Sequence, residues 1–162
     1  MKAVCRTIIV ASIALVVFTS AVFSKLALSK LFISGGKLPQ PIEVTNPQLL
    51  QASNPWFGEF IPAWTEIPNP GIADPPQAAP RYDISLYASV SAKAAPHIIY
   101  VAYYAFDAAS HRGFIYLPGR GEQWYRTNVS SIIRSHEDGR WNLANPAWCD
   151  RINSIIAQFE HD

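Results

Sequence analysis

The sequence predicts an α+β protein in three parts. These are an N-terminal transmembrane or signal helix (1–30), an extended proline- and aromatic-rich arm (31–80), and a small antiparallel sheet of four to five strands packed by one C-terminal amphipathic helix (81–162). Three observations predict it. Thr7 to Ser24 is a run of 18 uncharged residues, and ten of the thirteen prolines fall between Leu38 and Pro80. After Arg81, period-two alternation gives way to a final stripe of apolar residues at helical spacing.

The opening run, TIIVASIALVVFTSAVFS, would reach about 27 Å as a helix, close to the hydrocarbon thickness of a bilayer. Lys2 and Arg6 precede it, as in the positive region of a secretory signal. Thr19-Ser20-Ala21 and Ala27-Leu28-Ser29 offer small residues at cleavage spacing, but the run exceeds the usual length of a signal core, and a retained anchor is expected. Lys25, Lys30 and Lys37 follow, so positive charge flanks both ends. The short, signal-like start favours an inside N-terminus, a single pass, and a C-terminal domain on the non-cytoplasmic side.

The arm holds Glu43, Glu59, Glu66 and Asp74 and, from Leu38 to Pro80, no basic residue. Proline removes a backbone donor and turns the preceding residue away from helix, so long regular elements are not expected. One short helical turn is expected at Asn46-Pro47, with Asn as cap and Pro in first position. Trp56, Phe57, Phe60 and Trp64 are too apolar for an ordinary disordered linker. They are the residues to examine for partner binding, with three readings open: the arm folds back on its own sheet, lies along another subunit, or inserts its rings at a membrane interface.

In the domain, Tyr82, Ile84, Leu86, Ala88 and Val90 alternate with polar residues, as in a half-buried strand. His97 to Phe106 is apolar on both faces, as in a central strand. Asp107 to Gly113 reads as a loop and Phe114 to Leu117 as a short strand stopped by Pro118-Gly119. Trp124 to Ile133 sets Tyr125, Val129 and Ile133 on one face; Asp138-Gly139 is a turn before a last strand at Trp141 to Leu143. Asn145 then caps a helix with Pro146 in its first turn, and Trp148, Ile152, Ile155, Ile156 and Phe159 form its stripe. Such a stripe needs a sheet face to cover it, giving two layers.

Charge excludes one class of partner. From Arg81 onward eight basic residues balance eight acidic ones, and the basic residues are scattered singly. Nucleic-acid binding needs a clustered basic face, so it is not expected. No catalytic, cofactor or metal residues are assigned. Asp107, Ser110 and His111 crowd one loop, but a hydrolytic triad needs the base between acid and hydroxyl, and neighbours on a turn more often bond locally. Cys149 with His136 is the other conceivable pair, though Cys149 beside Trp148 reads as a buried thiol that Cys5, across the membrane, cannot reach. His97 reads as a strand-end polar group. Histidines 97, 111, 136 and 161 lack zinc spacing. Asn128-Val129-Ser130 matches the glycosylation acceptor pattern.

These observations lead to the expectation of a non-enzymatic, membrane-anchored accessory subunit of a larger membrane or cell-envelope complex. Its partners would be membrane lipid through the N-terminal helix and other protein subunits. The alternative is a secreted or periplasmic binding domain with a cleaved signal, whose tyrosines (Tyr87, Tyr100, Tyr103, Tyr104, Tyr116, Tyr125) form a ligand surface. A small hydrolase using Asp107 and His111 stands third.

Overall fold

The computed structural model describes residues 27–56, 60, 73–91, 93–131 and 138–160. The opening apolar run, Phe57 and Trp64 lie outside them, and no helix among the described residues is long and apolar enough to cross a membrane.

The elements run β1 (Leu28–Gly35), β2 (Ile42–Val44), α1 (Pro47–Ala52), β3 (Arg81–Ala88), β4 (His97–Asp107), β5 (Arg112–Leu117), α2 (Tyr125–Ser131), β6 (Arg140–Leu143) and α3 (Pro146–Phe159). One antiparallel sheet takes the order β2-β1-β3-β4-β5-β6, with α3 on one face. The expected α+β sheet with a C-terminal helix is present, but it has six strands rather than four to five. The two additional strands come from residues 28–44, expected to belong to the end of the N-terminal segment and the start of the arm. In β1, Leu31 and Ile33 are fully buried and face Leu86 and Ile84 of β3, so the strand is an inner member of the sheet. Its partner lies some fifty residues away in sequence, and the alternation within LSKLFISG is too short to stand out beside the apolar run.

Both helices with an Asn-Pro start are built as their sequences predict. In α1, Leu49 N–H donates to Asn46 Oδ1 (3.0 Å), and in α3, Trp148 N–H donates to Asn145 Oδ1 (3.2 Å). Each cap satisfies a donor that the helix itself leaves unpaired, and Pro occupies the first turn, where it removes no bond. Trp124 to Ile133 becomes a helix, α2, over its described part.

The core lies between α3 and the inner face of the sheet. Trp148, Cys149, Ile152 and Ile156 are buried against Tyr100, Tyr104, Ile115 and Leu117. The stripe is shorter than expected: Ile155 is half-buried and Phe159 is 37 % exposed. Val90 likewise falls outside β3, in the turn beyond it, and is 67 % exposed. The arm contributes to this core. Phe60 packs edge-on to Tyr100 (6.2 Å between centroids) and tilted to Trp148 (6.1 Å), and its carbonyl accepts from Asn145 N–H (3.1 Å). Trp148 Nε1 donates to Ser53 Oγ (2.9 Å), tying the end of α1 to the start of α3.

Gly113 sets how closely α3 approaches the sheet. A Cβ there would lie 2.1 Å from Cys149 Sγ and 3.0 Å from the Tyr104 ring. Gly113→Ala is expected to destabilise the domain by about 1–3 kcal/mol, as overpacking does in a close-packed interior. Cys149→Ala in the same chain should recover part of the loss, because neighbouring substitutions are not additive. Urea unfolding of both variants checks this.

Candidate functional site

The side of the sheet away from α3 carries a row of aromatic residues. Facing outward in one row are Asp83, Tyr103, Tyr116 and Trp141, which lie opposite one another on β3, β4, β5 and β6. Tyr103 and Tyr116 pack at 6.0 Å between centroids, Tyr116 and Trp141 at 5.4 Å, and the Arg81 guanidinium lies 5.4 Å from the centre of the Trp141 ring. Toward β1, Phe32 meets Tyr87 edge-on at 5.3 Å, and Lys30 Nζ sits 5.0 Å and 5.8 Å from the two ring centres while pairing with Glu43 (3.0 Å). All five aromatic residues are half-buried. Rings prefer such tilted and edge-on contacts, and cations settle over their electron-rich faces.

The polar groups on this face are held in place. Tyr116 OH donates to Glu122 Oε1 (2.6 Å), whose other oxygen accepts from Gly119 N–H (2.8 Å). Burial, and then that carboxylate, push the Tyr116 hydroxyl up to about 12. Tyr103 is also raised, by burial first and then by the charges of Asp83 and Glu122. Asp83 is raised by desolvation. The tyrosines therefore stay neutral hydroxyls, suited to hydrogen bonding and ring contact rather than to acid–base work near neutral pH.

Only part of the expected tyrosine set meets here. Tyr87, Tyr103 and Tyr116 share the face away from α3; Tyr100 and Tyr104 point into the core on the other side; Tyr125 begins α2. Phe32, Trp141 and Arg81 belong to the same surface and were not singled out by sequence reasoning. Phe32 lies in the unrecognised strand β1. Trp141 could have been paired with Tyr116 only by knowing the register of β5 and β6.

Among the four arm aromatics, Phe60 is taken up by the chain's own core at 2 % exposure, and Trp56 is half-buried against that core. Phe60 therefore belongs to the domain's own core, while Phe57 and Trp64 lie outside the described residues.

The Asp107 loop does not assemble a hydrolytic centre. Ser110 Oγ donates to Asp107 Oδ2 (2.5 Å) and Ala109 N–H donates to Asp107 Oδ1 (3.1 Å). The hydroxyl is therefore bonded to the acid, with no imidazole between them, and His111 packs edge-on to Phe106. The Ser110 bond, ahead of the backbone donors, holds the Asp107 carboxyl below its ordinary range. This is a turn stapled by its aspartate. Burial pushes the Cys149 thiol up to about 11, contrary to an activated nucleophile, and His136 lies outside the described residues. Among the described residues no three His, Cys, Asp or Glu side chains converge as metal ligands.

Asn128 has a different role from the one its tripeptide suggests. Its side-chain amide donates to Val101 O (2.7 Å) and accepts from Val101 N–H (2.8 Å), and the residue is 2 % exposed. It substitutes for a strand neighbour where β4 extends past the end of β5, and in the folded domain its nitrogen is sealed from modification. Asn128→Ala should cost about 2–4 kcal/mol, since two buried backbone groups lose their partners. Faster amide exchange at Val101, together with a lower urea midpoint, checks it.

Comparisons with protein-family models, curated proteins and solved structures return no match. The functional reading therefore rests on this chain's own geometry.

Proposed function

We propose that this chain is a non-enzymatic accessory subunit of a membrane or cell-envelope complex. Its opening segment tethers it to the bilayer, its domain stands on the non-cytoplasmic side, and another protein subunit packs on the aromatic row of the sheet face away from α3. The observation that carries this reading is the half-buried row Tyr103–Tyr116–Trp141 with Arg81 laid over its end. Aromatic rings with an arginine are the side chains that dominate protein interfaces, because they bury much area at little cost in side-chain freedom. Purification of the full chain in mild detergent should retain a stoichiometric subunit. Trp141→Asp should release that subunit while circular dichroism shows the domain still folded. A chain that elutes alone, or a partner retained by the variant, would overturn the reading.

The alternative, an exported binding domain with a cleaved signal, draws on the same face as a ligand surface. Strand β1 narrows where cleavage would leave the fold whole. Removal through Ser29 would delete Leu28, which pairs with Ala88, and the Ser29 hydroxyl bond to Tyr87 O (3.1 Å); removal through Ala21 touches neither. N-terminal sequencing of the mature protein decides between an intact anchor and a new terminus near residue 22.

A further inference from the structure

We propose that one end of the domain rests on the lipid headgroup layer, along a rim made by the β3–β4 connection, Trp56 and the first turn of α2. This inference depends on the membrane tether proposed above and adds to it which surface of the fold meets the bilayer.

Chain geometry brings the rim there. The last residue of the apolar run, Ser24, is followed by only Lys25, Leu26 and Ala27 before β1 begins at Leu28. Four residue steps extend to about 14 Å at most. Leu28 pairs with Ala88, the last residue of β3, and Ala88 pairs with His97, the first residue of β4. The connection between those strands therefore sits at the end of the sheet where the tether enters, and β1 leads away from the membrane. The opposite end carries the Asp107–His111 turn. Along β4 the two ends are separated by about 33 Å at the usual strand rise.

The composition of the rim suits a headgroup layer. Val90, at 67 % exposure, is one of only two large apolar residues that stand exposed among the described residues, and it lies two positions beyond Ala88. Lys93 is exposed in the same connection. From Ile84 through Phe106 there is no Asp or Glu, so nothing in that stretch repels phosphate. Beside it, Trp56, His97, Ile98, Arg126 and Ser130 border a shallow hollow of about 430 Å³, with His97 and Arg126 exposed and Trp56 half-buried. A tryptophan with one wet edge, an exposed aliphatic tip and nearby cations is the set that settles at a membrane–water boundary. With the tether this short, the surface nearest the bilayer is the one that combines an exposed apolar tip, a tryptophan and two cations.

The test uses the full chain with Cys5→Ser, in which Cys149 is buried. An environment-sensitive fluorophore is attached at Val90→Cys or, in a second protein, at Ala109→Cys in the far turn. Each is reconstituted into phosphatidylcholine–phosphatidylglycerol vesicles with or without a nitroxide-bearing lipid. Both proteins should float with the vesicles. The label at 90 should be quenched by the nitroxide lipid roughly twofold or more beyond the label at 109, as expected for a residue at headgroup depth. Flotation with equal quenching at both positions would overturn the rim assignment and leave the tether standing. Failure to float would overturn the tether and the rim together. Both substitutions fall on exposed connections, so folding is not at issue.

Discussion

Ile152→Asp should leave the chain unfolded at room temperature. Ile152 is fully buried in the middle of α3, with Trp148 and Ile156 on the same stripe and the inner sheet face above it. A carboxylate there would lose its hydration with no cation among the described core side chains to receive it, and burying an unpaired charge carries a penalty of many kcal/mol unless it is neutralised. Net stabilities of domains this size are only about 5–15 kcal/mol, so the substitution removes most or all of the margin. Loss of the near-ultraviolet circular dichroism signal from Trp148 and its neighbours, together with loss of a cooperative thermal transition, is the expected observation. The same change at Phe159, 37 % exposed at the end of the helix, should be tolerated. A folded Ile152→Asp protein would mean that α3 does not seat on the sheet as described.

Phe60→Ala should lower stability by about 3–5 kcal/mol, the usual loss for deleting a buried phenyl ring, which forfeits both its transfer energy and the contacts around the cavity left behind. The ring is 2 % exposed between Tyr100 and Trp148, and its backbone carbonyl receives the Asn145 amide at the start of α3. Denaturant unfolding of the purified domain, with no other protein present, reads this directly. If Phe60 served only as an anchor for another subunit, the isolated domain would be as stable without the ring as with it. The two substitutions probe the same layer from opposite sides: one from a helix whose covered stripe the sequence announces, the other from an arm residue whose cover the sequence leaves open.

That contrast marks where sequence reading ends. Period and capping are local, and where they decide the structure the reading holds. The stripe in α3 and its Asn145-Pro146 start are present, as are the short helix at Asn46-Pro47, the apolar central strand from His97 and the turn at Asp138-Gly139. Burial of Cys149 and the turn role of Asp107 and Ser110 also follow from neighbours along the chain. At the helix ends the pattern overreaches: Phe159 keeps the period of the stripe but lies beyond the covering sheet, and Val90 keeps the alternation of β3 but lies beyond its last pairing partner.

The residues of the candidate face were legible only in part. Tyr87, Tyr103 and Tyr116 stand out by type, yet Tyr100 and Tyr104 are of the same type and face the core. Alternation assigns residues to two faces but does not say which face the helix will cover. Asn128 shows the same limit: its tripeptide reads as an acceptor site, and only the end of β5 beside it turns its amide into a strand cap.

By itself, then, the sequence determined the α+β class, the two capped helices, the strands that begin at Tyr82 and His97 and the balance of charge, because each depends on residues within a few positions of one another. The tertiary structure alone decided that residues 28–44 join the sheet, that Phe60 belongs to the core, and that Tyr103, Tyr116, Trp141 and Arg81 form one surface. Those features are pairings between strands and rings far apart in the chain, and their energy exists only once the register is made.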